Sequence, residues 1–303
     1  MKTNFSYQFL HAGEDTYLRE VIKMHGISKR ALTAIKYSGG KLVVNGEEKT
    51  VRTIIRDGDQ IEVIFPEEEL SDGLIPVQKE LTILYEDDHI LIVNKPSGLP
   101  AIPSKDHPND SLANRIAGYY KQQDYKTTVH MVTRLDKDTT GLVLIAKHRH
   151  AHHLLSEAMQ RGAIQKRYRA VVEGIPIPLS GEITAKIGRE DHSIIKRCIS
   201  DDGKTARTSY DFIRTFRVET QDYTYVELYL WTGRTHQIRV HMAHIRCPLA
   251  GDDLYGGSQW LIPRHALHAY SLSFTHPITR TDFVIECPLP GDFTHILERG
   301  HVL

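Results

Sequence analysis

Cysteine is scarce in this chain of 303 residues: Cys198, Cys247 and Cys287 lie far apart and form no Cys-x-x-Cys pair. That spacing argues against a disulfide framework or a zinc ribbon and fits a reducing cytoplasm, where the protein is expected to reside. Long hydrophobic runs are missing as well, so no stretch is a candidate membrane span. The polar start, Met1 to Tyr7, does not read as a signal peptide. Charge of one sign is also lacking, since 38 Lys and Arg balance 38 Asp and Glu. Any case for nucleic acid must therefore rest on local patches. There is no internal repeat or low-complexity segment. What remains is the composition of a soluble globular protein, with length enough for one large domain and a small one.

Residues 12–65 read as the small unit. Leu18, Val21, Ile22 and Met24 predict a short helix. Ser28 then stands where an N-cap would, before a second helix through Leu32, Ile35 and Tyr37 that Gly39-Gly40 stops. Two short strands follow, Lys41 to Val44 and Gln60 to Ile64, with turn chemistry at Asn45-Gly46 and Asp57-Gly58. Between Arg19 and Lys41 six basic residues face a single acid, Glu20. Lys29, Arg30 and Lys36 are the candidates there for contacts to RNA phosphates, although a solvated helix face has the same composition. The order helix, helix, hairpin, with Ser28-Lys29-Arg30 opening the second helix and Val44-Asn45-Gly46 in the turn, resembles the RNA-binding domain first described in ribosomal protein S four. Residues 66–75, beginning Pro66-Glu67-Glu68-Glu69, read as an acidic, flexible linker.

Residues 76–303 form the larger unit. Strands are expected at Thr82 to Tyr85, Ile90 to Val93, Tyr168 to Val172, and within 182–187, 206–216 and 224–231. Helices are expected after Asp110 or Ser111, through Leu112, Ile116, Tyr119 and Tyr120, and from His148 to Arg161. Strands separated by single helices and short turns predict an α+β domain with a mixed, mostly antiparallel sheet.

Two stretches carry chemistry. In residues 131–147 a polar block holding Arg134, Asp136, Lys137 and Asp138 runs, after Gly141, into the apolar Leu142 to Ala146. The charged residues cannot follow a buried strand inward, so they sit at the sheet edge or in a cleft. One reading is a structural Arg–Asp turn; the other is a carboxylate held for catalysis. In residues 232–242 the strand ending at Trp231 delivers Arg234, Thr235, His236, Gln237 and Arg239. Thr235 is expected to cap a helix, and Arg234, His236 and Gln237 suit binding of an anion or a base edge. His148, His150, His152 and His153 suggest a metal site, but no glutamate lies between His148 and His152; a surface helix rich in histidine is expected, with no metal.

Together these motifs resemble an RNA pseudouridine synthase of the RluA type, in the RluD-like branch that carries a small N-terminal RNA-binding domain. The resemblance runs through Asn94 to Leu99, Arg134-Leu135-Asp136 with Thr139-Thr140-Gly141, Lys166-Arg167-Tyr168 and Gly233 to His241. It continues through Pro248 to Asp252, Tyr255-Gly256, Leu267-His268-Ala269 and Phe274 to Pro277. It implies the pseudouridine synthase fold and isomerisation of specific uridines, in large-subunit ribosomal RNA or in transfer RNA. It implies Asp136 as nucleophile or general base, Arg239 as its ion-pair partner, and Tyr168 stacked on the flipped uracil. Arg134 would fill the space that the base vacates, and Lys95 would lie at the substrate. The net reaction needs no cofactor, metal or small-molecule partner. RNA is the expected partner, with no membrane and with the chain a monomer. Two positions depart from the family pattern, Thr133 where His is usual and Thr140 where Ser is usual. Two other readings stand beside this one: an RNA-binding assembly factor with an incidental catalytic centre, and a hydrolase using Asp136 with Asp138 as acid.

Overall fold

The computed structural model of the chain describes residues 5–302; Met1 to Asn4 of the polar start, and Leu303, lie outside it. In the N-terminal unit the helices Leu18–Met24 and Lys29–Tyr37 pack on a four-stranded sheet. Ser28 caps the second helix, accepting the Ala31 N–H at 3.2 Å. Lys41–Val44 and Gln60–Ile64 are strands at the expected residues. They pair with each other, but the Asn45-Gly46 turn joins Lys41–Val44 to the short Glu47–Glu48 instead. Asn45 and Gly46 take φ of 50° and 85°, the double left-handed geometry of a tight hairpin turn. The sheet also takes in Ser6–Leu10, ahead of residue 12, paired antiparallel to Gln60–Ile64. Leu18, Val21, Ile22, Ile35, Ile55, Ile61 and Val63 form a closed core, each side chain contributing about 1.5–3 kcal/mol by leaving water.

The larger unit is built on an 11-stranded sheet. Its main path runs Gly181–Thr184, Arg207–Val218, Gln221–Leu230, Gln165–Glu173, Leu267–Thr275, Thr140–Ala146, Ile90–Lys95 and Thr82–Glu86. The pairings are antiparallel except that Thr140–Ala146 lies parallel to Leu267–Thr275. The mixed, mostly antiparallel sheet is therefore as expected. Leu267–Thr275 holds its centre and was not foreseen, nor was the helix Gly291–Arg299 that covers one end. Thr140–Ala146 is buried at every residue. The helix Leu112–Gln122 is capped by Ser111, whose backbone N–H in turn donates to the Asn114 side chain. No helix among the described residues is long and apolar enough to cross a membrane.

Aromatic rings join the two units. Phe5 stacks on His148 with ring centres 3.5 Å apart, and Phe65 stacks on His150 at 5.3 Å. His148 and His150 are therefore buried at a seam rather than displayed on a surface helix. The linker is fixed here too. Glu68 accepts the Arg149 N–H at 2.9 Å and pairs with His130 at 3.0 Å, and the Ser71 N–H donates to Thr128 at 3.1 Å. Its acidity, read as flexibility, serves docking at these positions.

Candidate active site

Sheet register brings the first two groups together. Gly141 and Tyr168 both pair with Ala269 on the central strand, one on each side. Gly141 takes φ of 109°, and a Cβ there would lie 2.2 Å from the Ala269 carbonyl oxygen, so only glycine permits this approach. The loop Arg134 to Thr139 is tied down at both ends. Thr133 accepts the Leu144 N–H at 2.9 Å, Thr139 bonds His265 at 2.7 Å, and Thr140 bonds His268 at 2.8 Å. The two departures from the family pattern, Thr133 and Thr140, are thus buried hydroxyls with partners. Between these anchors Leu135 turns inward, Arg134 stays exposed, and the Asp136 side chain is 26% exposed.

Arg239 reaches Asp136 from the opposite side. Its Nη1 lies 3.4 Å from Asp136 Oδ2, while Nε and Nη2 each donate to Asp252 at 2.8 Å. Asp252 is almost fully buried, so this fork is the tighter clamp and fixes where Arg239 points. Beneath the guanidinium lies the Tyr255 ring, 5.0 Å away. The Tyr255 hydroxyl bonds His236 Nδ1 at 2.8 Å, and His236 Nε2 stands 3.9 Å from Asp136 Oδ2. Burial holds His236 below the usual imidazole range against the pull of Asp136, so it is neutral at pH 7. Tyr168 is buried beside this pair, and burial with the Asp136 charge pushes its phenol well up, keeping it protonated. Its hydroxyl has no hydrogen-bond partner among the described residues.

Two expected substrate contacts, Gln237 and Lys95, have other surroundings. The helix runs Gln237–His244, with His236 rather than Thr235 at the N-cap, in left-handed backbone at φ 57°. Gln237 is buried with its amide fully used: it accepts from Thr232 and the Arg234 N–H, and donates to the Arg207 carbonyl and to Thr208. It braces the loop and leaves no donor for a base edge. Lys95 is likewise buried, its three protons given to the carbonyls of Pro96 (2.9 Å), Leu99 (2.8 Å) and Lys137 (2.8 Å). It staples two loops behind Asp136. Arg234 is exposed, spends only Nε on the Thr205 carbonyl, and has no carboxylate partner among the described residues. Asp138 accepts the Gly98 N–H at 3.1 Å, a loop contact that gives it no standing as a catalytic acid.

Sequence reasoning passed over Asp252 and Tyr255 as working groups. A signal existed for Asp252: a guanidinium buried to this extent needs more than one partially exposed carboxylate to balance it. Lys29, Arg30 and Lys36 lie away from this site, exposed along the helix Lys29–Tyr37, with no carboxylate partner among the described residues.

The family model described as RNA pseudouridylate synthase matches residues 89–244, which span the Asp136 loop, Tyr168 and Arg239. The chain is 46% identical to "Uncharacterized RNA pseudouridine synthase YjbO" of Bacillus subtilis (strain 168), covering 90% of this chain and 95% of that protein. It is 39% identical to "Ribosomal large subunit pseudouridine synthase D" of Pseudomonas aeruginosa, over 85% of this chain and 83% of the relative. Among solved structures, "Human RNA Pseudouridylate Synthase Domain Containing 1" superimposes with a TM-score of 0.61 at 22% identity, covering 78% of this chain and 91% of that one. That last likeness is one of fold.

Proposed function

Because the chain belongs to the RNA pseudouridylate synthase family and so isomerises uridine to pseudouridine in RNA, we propose that Asp136 is the carboxylate that performs the chemistry. The observation that carries this reading is the asymmetry of the clamp. Arg239 is locked by Asp252 and offers its remaining nitrogen to a carboxylate that stays open to the cleft. A cation held this way sets a fixed positive charge beside the open Asp136 carboxylate. The carboxylate then acts as nucleophile or base while the bond from uracil nitrogen 1 to the ribose breaks. The ring turns, carbon 5 bonds to the ribose, the hydrogen on carbon 5 leaves as a proton, and nitrogen 1, freed from the ribose, takes up a proton in exchange. The Asp136 carboxylate is regenerated, and no electrons are gained or lost in the sum.

The other groups take supporting roles. Tyr168 packs on the flipped uracil with its hydroxyl free to meet it. Arg134 fills the space the base leaves, for which a planar guanidinium is suited. Arg234 and His236 flank the substrate, and Lys95 and Gln237 set the loops. The unit at residues 12–65 binds RNA phosphates through Lys29, Arg30 and Lys36. The substrate is large-subunit ribosomal RNA, a reading supported by the name of the Pseudomonas relative, with transfer RNA the other source to assay. The chain acts as a cytoplasmic monomer.

Joining carbon 5 to the ribose expels its hydrogen, and that step is the test. Cellular RNA carrying tritium at carbon 5 of uridine, from a strain lacking this protein, is incubated with wild type and with Asp136→Asn, with a chelator and no added cofactor. Release by wild type alone is expected. Equal release by Asp136→Asn would remove the role given to Asp136. Fractionating the RNA then identifies the substrate.

A further inference from the structure

We propose that Trp231 is a stacking platform for a nucleotide flanking the target uridine. This rests on the isomerase reading above and extends its substrate contacts beyond the flipped base.

Trp231 directly follows the strand Gln221–Leu230 and is 59% exposed. Single exposed apolar residues are common and mean little alone. This one is exposed and fixed in place. Its indole N–H donates to Ser209 Oγ at 2.8 Å, and the Arg207 guanidinium lies 4.7 Å from the ring centre. Arg207 is held in turn by Glu182 at 2.6 Å. A rigid ring loses little conformational freedom when a base settles on it, and every base has a face to offer.

The platform is also tied to the loop that leads into the site. Thr232, the next residue, accepts the Arg207 N–H at 2.9 Å and donates to Gln237 at 2.8 Å. Trp231 is thereby locked to the start of the helix that carries Arg239. His236, which stands 3.9 Å from Asp136, is five residues further on, a span of at most about 17 Å. That is within reach of nucleotides adjoining a flipped uridine. Arg234 on the same loop is exposed without a carboxylate partner among the described residues, so the backbone of such a strand meets positive charge. An aromatic face beside unpaired arginine is the combination that holds single-stranded RNA without reading its sequence.

The chain has two tryptophans, Trp231 and Trp260, so Trp260→Phe leaves one reporter at the proposed platform. This protein is titrated with the tritiated cellular RNA from the strain lacking it, and tryptophan emission and tritium release are followed together. Emission is expected to quench with the same half-saturating RNA concentration as release. Trp231→Ala, in the otherwise wild-type chain, is expected to raise that concentration about tenfold and leave the rate at saturation unchanged. Trp231→Phe, which keeps a stacking face, and Ser209→Ala, which only removes the indole contact, should stay within about threefold of wild type. Tritium release without quenching would overturn the proposal. So would a loss of saturating rate shared by Trp231→Ala and Ser209→Ala, the mark of a residue that merely supports its loop. Quenching without tritium release would uphold RNA stacking at Trp231 while removing the isomerase reading, so the two failures are distinguishable.

Discussion

Arg239 gives Asp252 two nitrogens at 2.8 Å each and Asp136 one at 3.4 Å. The carboxylate with the stronger hold on the arginine is the buried one. Asp252→Asn keeps the shape but weakens the fork, letting Arg239 drift toward Asp136 or away from it. Small misplacements of this kind cost about 100-fold in rate. The expected result is a kcat loss of about 10- to 100-fold with KM little changed, since RNA is held elsewhere. Asp252→Ala, which strands a buried guanidinium, should also cost about 3–5 kcal/mol of stability. Tritium-release kinetics and urea unfolding read the two effects separately. A wild-type kcat in Asp252→Asn would show that Arg239 needs no such clamp.

Lys95 predicts an alkaline limb in activity. Its three carbonyl contacts use all three ammonium protons, while burial pulls the group down to about 7 against the charges of Asp138 and Asp136. Above that pH one contact is lost and the loop at Lys137 loosens. The folded value lies below the ordinary 10.5. Between about 7 and 10.5 the unfolded chain therefore holds more protons, and this group's contribution to stability rises with pH. Activity should thus fall above pH 7 while stability does not fall through Lys95. Lys95→Met should be slower at every pH and lack that limb. Profiles of kcat from pH 6 to 9 beside urea midpoints test this, and a limb retained in Lys95→Met would assign it to another group.

Local pattern made much of the fold legible, and long-range partnership hid the rest. Ser28 signalled its cap, and Lys41–Val44 and Gln60–Ile64 signalled themselves by alternation. Ser6–Leu10 is a strand because Gln60–Ile64 pairs with it, a fact outside its own five residues. Leu267–Thr275 mixes His, Tyr and Ser into a buried strand, so it lacked the apolar run that marks Thr140–Ala146. Asp136 and Arg239 stand 103 residues apart, and resemblance rather than periodicity joined them. Lys95 misled because a lysine is almost never fully buried, and exposure is the natural expectation for it.

The helix Lys29–Tyr37 predicts separable binding. Lys29 and Arg30 are exposed and lack carboxylate partners among the described residues, so their charge is available to phosphates. Reversal to Lys29→Glu and Arg30→Glu should weaken RNA binding severalfold or more at low salt. It should also flatten the dependence of log affinity on log salt by about 2, one for each lost phosphate contact. Single-turnover release at saturating RNA should remain near wild type. A collapse of that rate would mean the small unit takes part in the chemistry.

The seam between the units predicts a loss of stability in acid. His150 is 1% exposed, packed on Phe65 at 5.3 Å and Tyr7 at 5.4 Å, and neither ring nitrogen has a hydrogen-bond partner among the described residues. Burial, aided by the charges of His153, Arg280, His89 and His25, pushes it down to about 4. The folded value lies below the ordinary 6.5, so the unfolded chain binds more protons from about pH 6.5 down to 4. Stability therefore falls as pH drops through that window, by at most roughly 3 kcal/mol from this group. His148 and His25 are lowered by burial in the same direction and add to the slope. His150→Leu removes both orphaned nitrogens and should raise stability at pH 7 by about 1–2 kcal/mol while flattening the acid slope. Urea midpoints from pH 7 to 5 provide the first check. Hydrogen exchange in residues 12–65 provides the second, since acid should expose that unit in wild type before the sheet of the larger one. Identical slopes for wild type and His150→Leu would place the acid sensitivity elsewhere.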